Sequence, residues 1–591
     1  MGETRTTDNR MMTKLLFRLL PVQILLASIN AINGIVSSVF ASNFIGPDAM
    51  SAVGLYGPIN QLLYSMGLML VTGSTILCGK YMGENQLRRM ENVFSLDLIL
   101  CTVIAVAGTA VIVIMSAFDL TGMMMPDAAS REILNHYLMG QAVGIFPYLT
   151  GTQLSSFLSL ENKVNRTTAA SIIFILVNIL FNYLFVDRLK WGTFGLALAS
   201  SLGMWVFLLV QAQYYFSGKS EMKLILKGLN WREGFDIAKI GFAGAITQYY
   251  VALRGFIVNG LITMYVGKAG LSAFAASDAI LKYFWAIPVG MAAVSRMMIS
   301  VSVGEEDRRS LTDVMRTALF RFVPLMCVIS AIIMALAVPF TMCFYRDPSE
   351  PVFYMTVWAF RLLPLCMPLS LICMHFVCYA LASDKQIFVH FLSLLDGVVC
   401  VSAFSALLIG RLGMNGVYIA NILNGIVTTI VIVAYACIKK KGFPKNMEEL
   451  MVIPADFGVD DRDRLDFAIH GIEDVVGISE EIHSFCAARD IDNRRAFLAS
   501  LALEEMAGNV VTHGFGMDKK EHRVSARTIL KGGDVILCLK DDCMPFDPVT
   551  RQRISDPEDK ASNIGLRIVC GMAKDLSYQN ILGLNVLTVR V

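Results

Sequence analysis

The chain has 591 residues, 55% of them hydrophobic and 17% charged, with a mean hydropathy of +0.58 and a formal net charge of +2. A soluble domain carries about a quarter charged residues, so the composition excludes a wholly soluble protein, and the small net charge offers no argument for a nucleic-acid partner. The 13 cysteines are scattered without a CxxC pair, which reads as packing residues rather than a disulfide framework or a zinc site.

The deficit of charge is uneven. From about Lys14 to Ile438 the sequence runs in apolar blocks, each of the roughly 20 residues or more that cross a bilayer. After Lys439 it becomes an ordinary mixed sequence. The expected organisation is a cytoplasmic segment 1–13, membrane halves 14–230 and 231–438, a linker 439–459 and a soluble domain 460–591. The opening "MGETRTTDNRMMTKLLFRLL" leads into an apolar run that continues to about Phe44. That run is longer than a signal-peptide core, so an uncleaved span is expected.

Twelve spans are expected, at 14–42, 51–79, 92–116, 132–158, 167–187, 191–216, 236–265, 271–301, 313–343, 352–382, 387–410 and 413–438. With the N-terminus inside, the inside loops carry about a twofold excess of Lys and Arg over the outside ones. Both termini, and the soluble tail after the basic run Lys439–Lys441, are therefore expected in the cytoplasm, beneath the cell membrane.

The membrane part repeats itself. "GPDAMSAVGLYGPI" from Gly46 matches "GKAGLSAFAASDAI" from Gly267, and "MGENQ" around Gly83 matches "VGEED" around Gly304, at one shared offset of about 221 residues. Two halves of six spans each must enter the membrane in the same orientation, with a substrate cavity expected between them.

These stretches, with "FIGPDAMSAVGLYGPINQLL" and "GKYMGENQLRRM" in the first half and "YVGKAGLSAFAASDAI" and "SVGEEDRRSL" in the second, resemble the multidrug and toxin extrusion (MATE) family over nearly all of residues 14–438. The resemblance implies two six-helix lobes exporting organic cations or other amphiphiles in exchange for protons or sodium ions. Family members commonly carry an acidic residue in the first span and another in the fifth, where this chain has Ser37 and Asn182. Neither can change charge, so the coupling candidates fall in the second half: Arg254, Asp278, Lys282 and Asp396. Asp278 and Lys282 stand four apart on one helical face and can pair.

The tail reads as an α+β sandwich, a mixed sheet covered by helices. A strand "DRLDFAIH" precedes helices over about 472–488 and 492–513. A hairpin through Gly532-Gly533 follows, then a helix from about Asn563 and closing strands. Within "LALEEMAGNVVTHGFG", Glu505 and Asn509 share one helix face. A carboxylate there accepts a proton, and an amide oxygen suits Mg²⁺. Asp541 in "LKDDC" ends a strand where it can accept from an exocyclic amine, and Gly565 in "SNIGLRIV" opens a helix whose free N–H groups suit phosphate.

In this order the three stretches resemble the GHKL ATPase fold, with its N box and two glycine boxes, over about residues 460–591. The "PFDP" run and short ending are similar to the bacterial anti-sigma-factor serine kinases. The resemblance implies ATP with Mg²⁺, Glu505 as catalytic base, Asn509 as metal ligand, Asp541 on adenine and Gly565 near the phosphates. It also implies a serine on a small anti-anti-sigma-like protein as phosphoryl acceptor. The chain departs from the family at Cys543 and at Ser562 or Asn563, where glycines are usual. Two functions remain open at this point. One is an antiporter-type exporter of small amphiphilic or cationic compounds whose tail binds ATP and regulates it. The other is a receptor in which a transporter-shaped domain senses a ligand and controls a serine kinase.

Overall fold

Backbone polar groups in a bilayer find no water, so an apolar chain crossing it must satisfy them within helices. The computed structural model describes residues 9–45, 47–123, 128–218, 220, 222–515, 522–545 and 564–591. The first half is built of α1 (Asn9–Phe40), α2 (Pro47–Gly83), α3 (Leu87–Ala117), α4 (Ala128–Ala142), α5 (Ile145–Leu160), α6 (Val164–Asn182) and α7 (Gly192–Phe216). The second half has α8 (Trp231–Tyr265), α9 (Lys268–Gly304), α10 (Arg308–Thr317), α11 (Val323–Ala335), α12 (Ala337–Met342), α13 (Pro351–Leu362), α14 (Cys366–Ala382), α15 (Gln386–Leu394), α16 (Cys400–Leu412) and α17 (Met414–Lys440).

Ten helical segments among the described residues are long and apolar enough to cross a membrane. The other two expected spans are helical as well. Span 132–158 is broken at Gly144 into α4 and α5, of 15 and 16 residues. Span 236–265 lies in α8, where Gln248, Arg254 and Asn259 dilute the apolar run.

The internal repeat is written in the backbone. Asn85, Asn162, Glu306 and Asp384 all adopt left-handed conformations, with φ of 58°, 57°, 51° and 55°. In each case the next residue's N–H donates to the carbonyl five residues back: Gln86 to Tyr81 (2.8 Å), Lys163 to Leu158 (2.7 Å), Asp307 to Ser302 (2.9 Å) and Lys385 to Ala380 (2.8 Å). These are helix-ending turns of one type, spaced alike in the two halves. All four lie at one end of the bundle, because each meets the linker or the tail there.

The linker carries a short helix α18 (Met447–Met451), held where the Lys385 ammonium donates to the carbonyls of Met451 (3.1 Å) and Val452 (2.9 Å). The tail follows as β1 (Arg464–Ile469), α19 (Ile472–Ala487), α20 (Asn493–Asn509), β2 (Val524–Lys531), β3 (Asp534–Asp541), α21 (Ile564–Met572), β4 (Asp575–Ile581) and β5 (Leu584–Arg590). The sheet order is β1-β2-β3-β5-β4, and every neighbouring pair is antiparallel. This corrects the expectation of a mixed sheet. The crossover through α21 does return β4 parallel to β3, but the hairpin at Leu582-Gly583 folds β5 between them. The β2–β3 turn has Gly532 and Gly533 at φ of 60° and 84°, as a two-residue hairpin of this kind requires.

Alternation along the strands sends two sets of side chains in opposite directions. Val524, Ala526, Val535, Leu537, Leu539 and Val589 join a core beneath α19, α20 and α21. Cys538, Leu584 and Val586 point the other way and join the core of the membrane bundle. The sheet is thus covered on both faces, by its own helices and by the membrane domain.

Candidate functional site

Three places bear on function: the cleft of the tail, a cavity in the first membrane half and the seam between tail and bundle. In the cleft, Asp492 caps α20, its side chain accepting from the Arg495 N–H at 3.1 Å, and the helix carries Glu505 and Asn509 on its last turns. Gly565, on the first turn of α21, packs directly on Glu505: a Cβ there would lie 2.0 Å from the Glu505 carboxyl carbon. The bare glycine lets the Glu505 carboxyl sit directly against the first turn of α21.

Past Asn509 the helix loosens into a π-turn, Val510–Gly514. Its last residue meets the loop after β3, where a Cβ on Gly514 would stand 3.0 Å from Cys543 Sγ. Asp541 is buried at the end of β3 and accepts from Asn585 Nδ2 (2.7 Å) and from the Cys543 N–H (3.0 Å). Burial pushes its carboxyl up, and the bonds from Asn585 and Cys543 partly oppose that. Asn585 sits opposite Asp541 in the β3–β5 ladder and was not singled out in the sequence. A strand asparagine reads as unremarkable until its register is known. Ser562, Asn563 and the "FDP" of the first glycine box lie outside the described residues. Beside Asp541, His522, Asp542 and Cys543 place ligand atoms within 4.8 Å of one another, and Lys14 from α1 pairs with Asp542 at 2.7 Å.

In the first membrane half, a cavity of about 290 Å³ is lined by Asn33, Ser37, Tyr56, Asn60, Tyr137, Gln141, Tyr148 and Ser200, with Lys282 reaching in from α9. Apart from Lys282, its polar wall is uncharged among the described residues. Asn178 Nδ2 donates to Asn33 Oδ1 (3.1 Å) and Ser200 Oγ (3.2 Å), Ser37 Oγ lies 3.3 Å from Ser200 Oγ, and Asn182 Nδ2 donates to the Asn178 carbonyl (2.8 Å). Ser37 and Asn182, the two departures from the family pattern, thus belong to one amide–hydroxyl network.

The coupling candidates separate. Arg254 on α8 and Asp396 on a π-turn (Leu395–Val399) come together, Arg254 donating to the Asp396 carbonyl at 3.5 Å while Asn424 Nδ2 donates to Asp396 Oδ1 at 2.8 Å. Asp278 and Lys282 share α9, and no ion pair joins them among the described residues. One candidate was missed: Asp97 on α3 is fully buried, and neither carboxyl oxygen has a hydrogen-bond partner. It was legible as a carboxylate inside an apolar span, the same signal that picked out Asp396.

The seam is densely charged. Lys540 on β3 pairs with Glu305 (2.6 Å) and Asp307 (3.4 Å), and Arg527 on β2 pairs with Asp307 (3.2 Å). Around this buried cluster, Lys531 pairs with Glu306 and Arg309 with Asp466 (3.3 Å). Burial alone would raise the Asp307 carboxyl. Arg527, Lys540 and the bonds from Ser310 outweigh it and hold the group well below the usual carboxylate range. The matching turn of the first half makes a neutral contact, Gln579 Nε2 donating to Asn85 Oδ1. At the Asn162 turn, the Leu582 N–H donates to the Leu160 carbonyl at 3.3 Å.

Comparison with known proteins agrees with this division. Residues 24–184 match the MatE family model, and residues 472–591 match the model described as a histidine kinase-like ATPase domain. Protein DETOXIFICATION 30 of Arabidopsis thaliana is 23% identical over 327 residues, 54% of this chain and 62% of the relative. Protein DETOXIFICATION 31 of the same plant is 25% identical over 279 residues, 46% of this chain and 51% of the relative. The chain therefore spans about half to three-fifths of the length of these curated relatives. Among solved structures, the outward-facing conformation of a multidrug resistance MATE family transporter superposes with a TM-score of 0.66 at 21% identity, covering 73% of this chain and 97% of that one. A MOP superfamily transporter from Pyrococcus furiosus, described as having a binding pocket of reverse polarity, gives the same figures. At such identities the likeness establishes the fold. The protein is a multi-pass membrane protein of MATE fold carrying a C-terminal ATPase-like domain.

Proposed function

We propose that the chain is a transporter of small amphiphilic compounds, driven by exchange for protons or sodium ions, whose cytoplasmic domain binds ATP and regulates it. The observation that carries the regulatory half is the buried cluster of Glu305, Asp307, Arg527 and Lys540. It fastens the nucleotide-domain sheet to a turn between two membrane helices, so a shift of that sheet is felt in the bundle. The proposed division is membrane halves 14–230 and 231–438, linker 439–459 and ATP-binding domain 460–591.

The donor set in the cleft suits Mg²⁺ and ATP. Asn509 offers an amide oxygen, a hard ligand, one turn from the Glu505 carboxylate on the same helix. Asp541 is the adenine-side acceptor, with Asn585 fixing its orientation, and the α21 N-terminus around Gly565 offers free N–H groups to the phosphates. A bound Mg²⁺ would neutralise phosphate charge. Glu505 is placed to accept a proton from a hydroxyl nucleophile.

The uncharged Asn33–Asn178–Ser200 network favours a second reading, a ligand-sensing receptor that controls serine-kinase activity towards a small protein partner. Reconstituted vesicles separate the two. Flux of fluorescent amphiphiles that needs a proton or sodium gradient, and that Mg-ATP alters, is expected of the transporter. Absence of flux for every probe, together with ligand-dependent ATP turnover, would overturn it in favour of the receptor.

A further inference from the structure

We infer that the membrane cavity binds an anion, a small molecule bearing a carboxylate, sulfonate or phosphate group, and that Lys282 is its counter-charge. The inference rests on the transporter reading and names the substrate class for that same cavity. Lys282 is exposed to the cavity and makes no ion pair or hydrogen bond among the described residues. An ammonium that is the one charged group lining a cavity at membrane depth, among the described residues, is costly and marks a functional site. Asp278, one turn away on the same helix, acts on it electrostatically but forms no close ion pair with it and does not line the cavity.

The rest of the lining is rich in donors. Tyr56 and Asn60 also lack hydrogen-bond partners among the described residues. Tyr137 Oη accepts from Gln141 Nε2 at 3.0 Å, which leaves its own hydrogen to donate elsewhere. No carboxylate lines the cavity among the described residues. An organic cation entering there would meet a like charge and no compensating one, a repulsion that builds specificity against it. An anion would gain a charge-assisted bond from Lys282 and neutral bonds from the tyrosines and Asn60.

The test uses two near-isosteres of opposite charge, benzenesulfonate and phenyltrimethylammonium, titrated calorimetrically into the purified full-length protein in detergent. The expected result is that benzenesulfonate binds at least about tenfold more tightly than the cation, the scale of one hydrogen bond to a charged group. Lys282→Gln should lose about that factor and Lys282→Arg should retain most of it. Tighter binding of the cation, unchanged anion binding in Lys282→Gln, or binding of neither probe would overturn the inference. Gradient-driven flux of other compounds in vesicles would leave the transporter reading standing in each of those cases.

Discussion

The turns at 83–86 and 304–307 share one backbone form and make different contacts. Their backbones match: Asn85 and Glu306 are both left-handed, and Gln86 and Asp307 close the same hydrogen bond at 2.8 and 2.9 Å. Their side chains diverge. The first turn offers the sheet one neutral hydrogen bond, from Gln579 to Asn85. The second offers three carboxylates to Arg527, Lys531 and Lys540. The two turns are equivalent in backbone, and charge makes the second the fastening point. The two turns therefore hold the tail asymmetrically, with the charged contacts at the second, although Lys14 of α1 also pairs with Asp542 from the first half.

The largest expected effect is at that fastening. Lys540→Met removes one cation from a buried cluster, and losing a partner from such a cluster costs about 3–5 kcal/mol. The tail should come away from the bundle, read as rapid proteolysis of the 439–459 linker. Next comes the cleft, which the seam should not govern: Asn509→Ala should abolish Mg-dependent ATP binding in calorimetry while leaving the linker protected. Unchanged ATP affinity would remove Asn509 as a metal ligand. Asn585→Ala leaves the buried Asp541 short of a donor, a loss of about 1–3 kcal/mol, and should weaken ATP binding by about tenfold or more. Gln579→Ala at the first turn should cost about 0.5–1.5 kcal/mol, an ordinary neutral hydrogen bond, and leave the linker protected. If it released the tail as readily as Lys540→Met, the asymmetry would be wrong.

The smallest effect is that of mild acid. Asp307 is held below its ordinary range, so its contribution is complete above the unfolded carboxylate value of about 4 and is lost only as pH falls through the lower folded value. Energy transfer between labels on tail and bundle should therefore stay constant from about pH 8 to pH 5. A fall in that window would place the titration elsewhere.

Much of this was legible in the sequence because it depends on local pattern. Apolar blocks, the 221-residue offset and Gly532-Gly533 each specify structure within a few residues. The expected helices and strands of the tail lie close to those observed. What escaped reading depends on register and on contacts made across domains. Arg527 and Lys540 are strand cations on one side of the sheet, and local pattern names no partner for them. Only the fold shows that this side faces the bundle. Asn585 needed the β3–β5 pairing, and the antiparallel sheet needed the insertion of β5.

Hydrogen–deuterium exchange on the intact protein in nanodiscs, with and without Mg-ATP, tests the central claim most directly. Exchange at α20 and α21 should slow on nucleotide binding, and exchange in the 304–307 turn should change with it, while Lys540→Met keeps the first change and loses the second. A nucleotide response confined to the tail of the unaltered protein, with the 304–307 turn indifferent, would contradict an ATP-binding domain coupled to the membrane bundle.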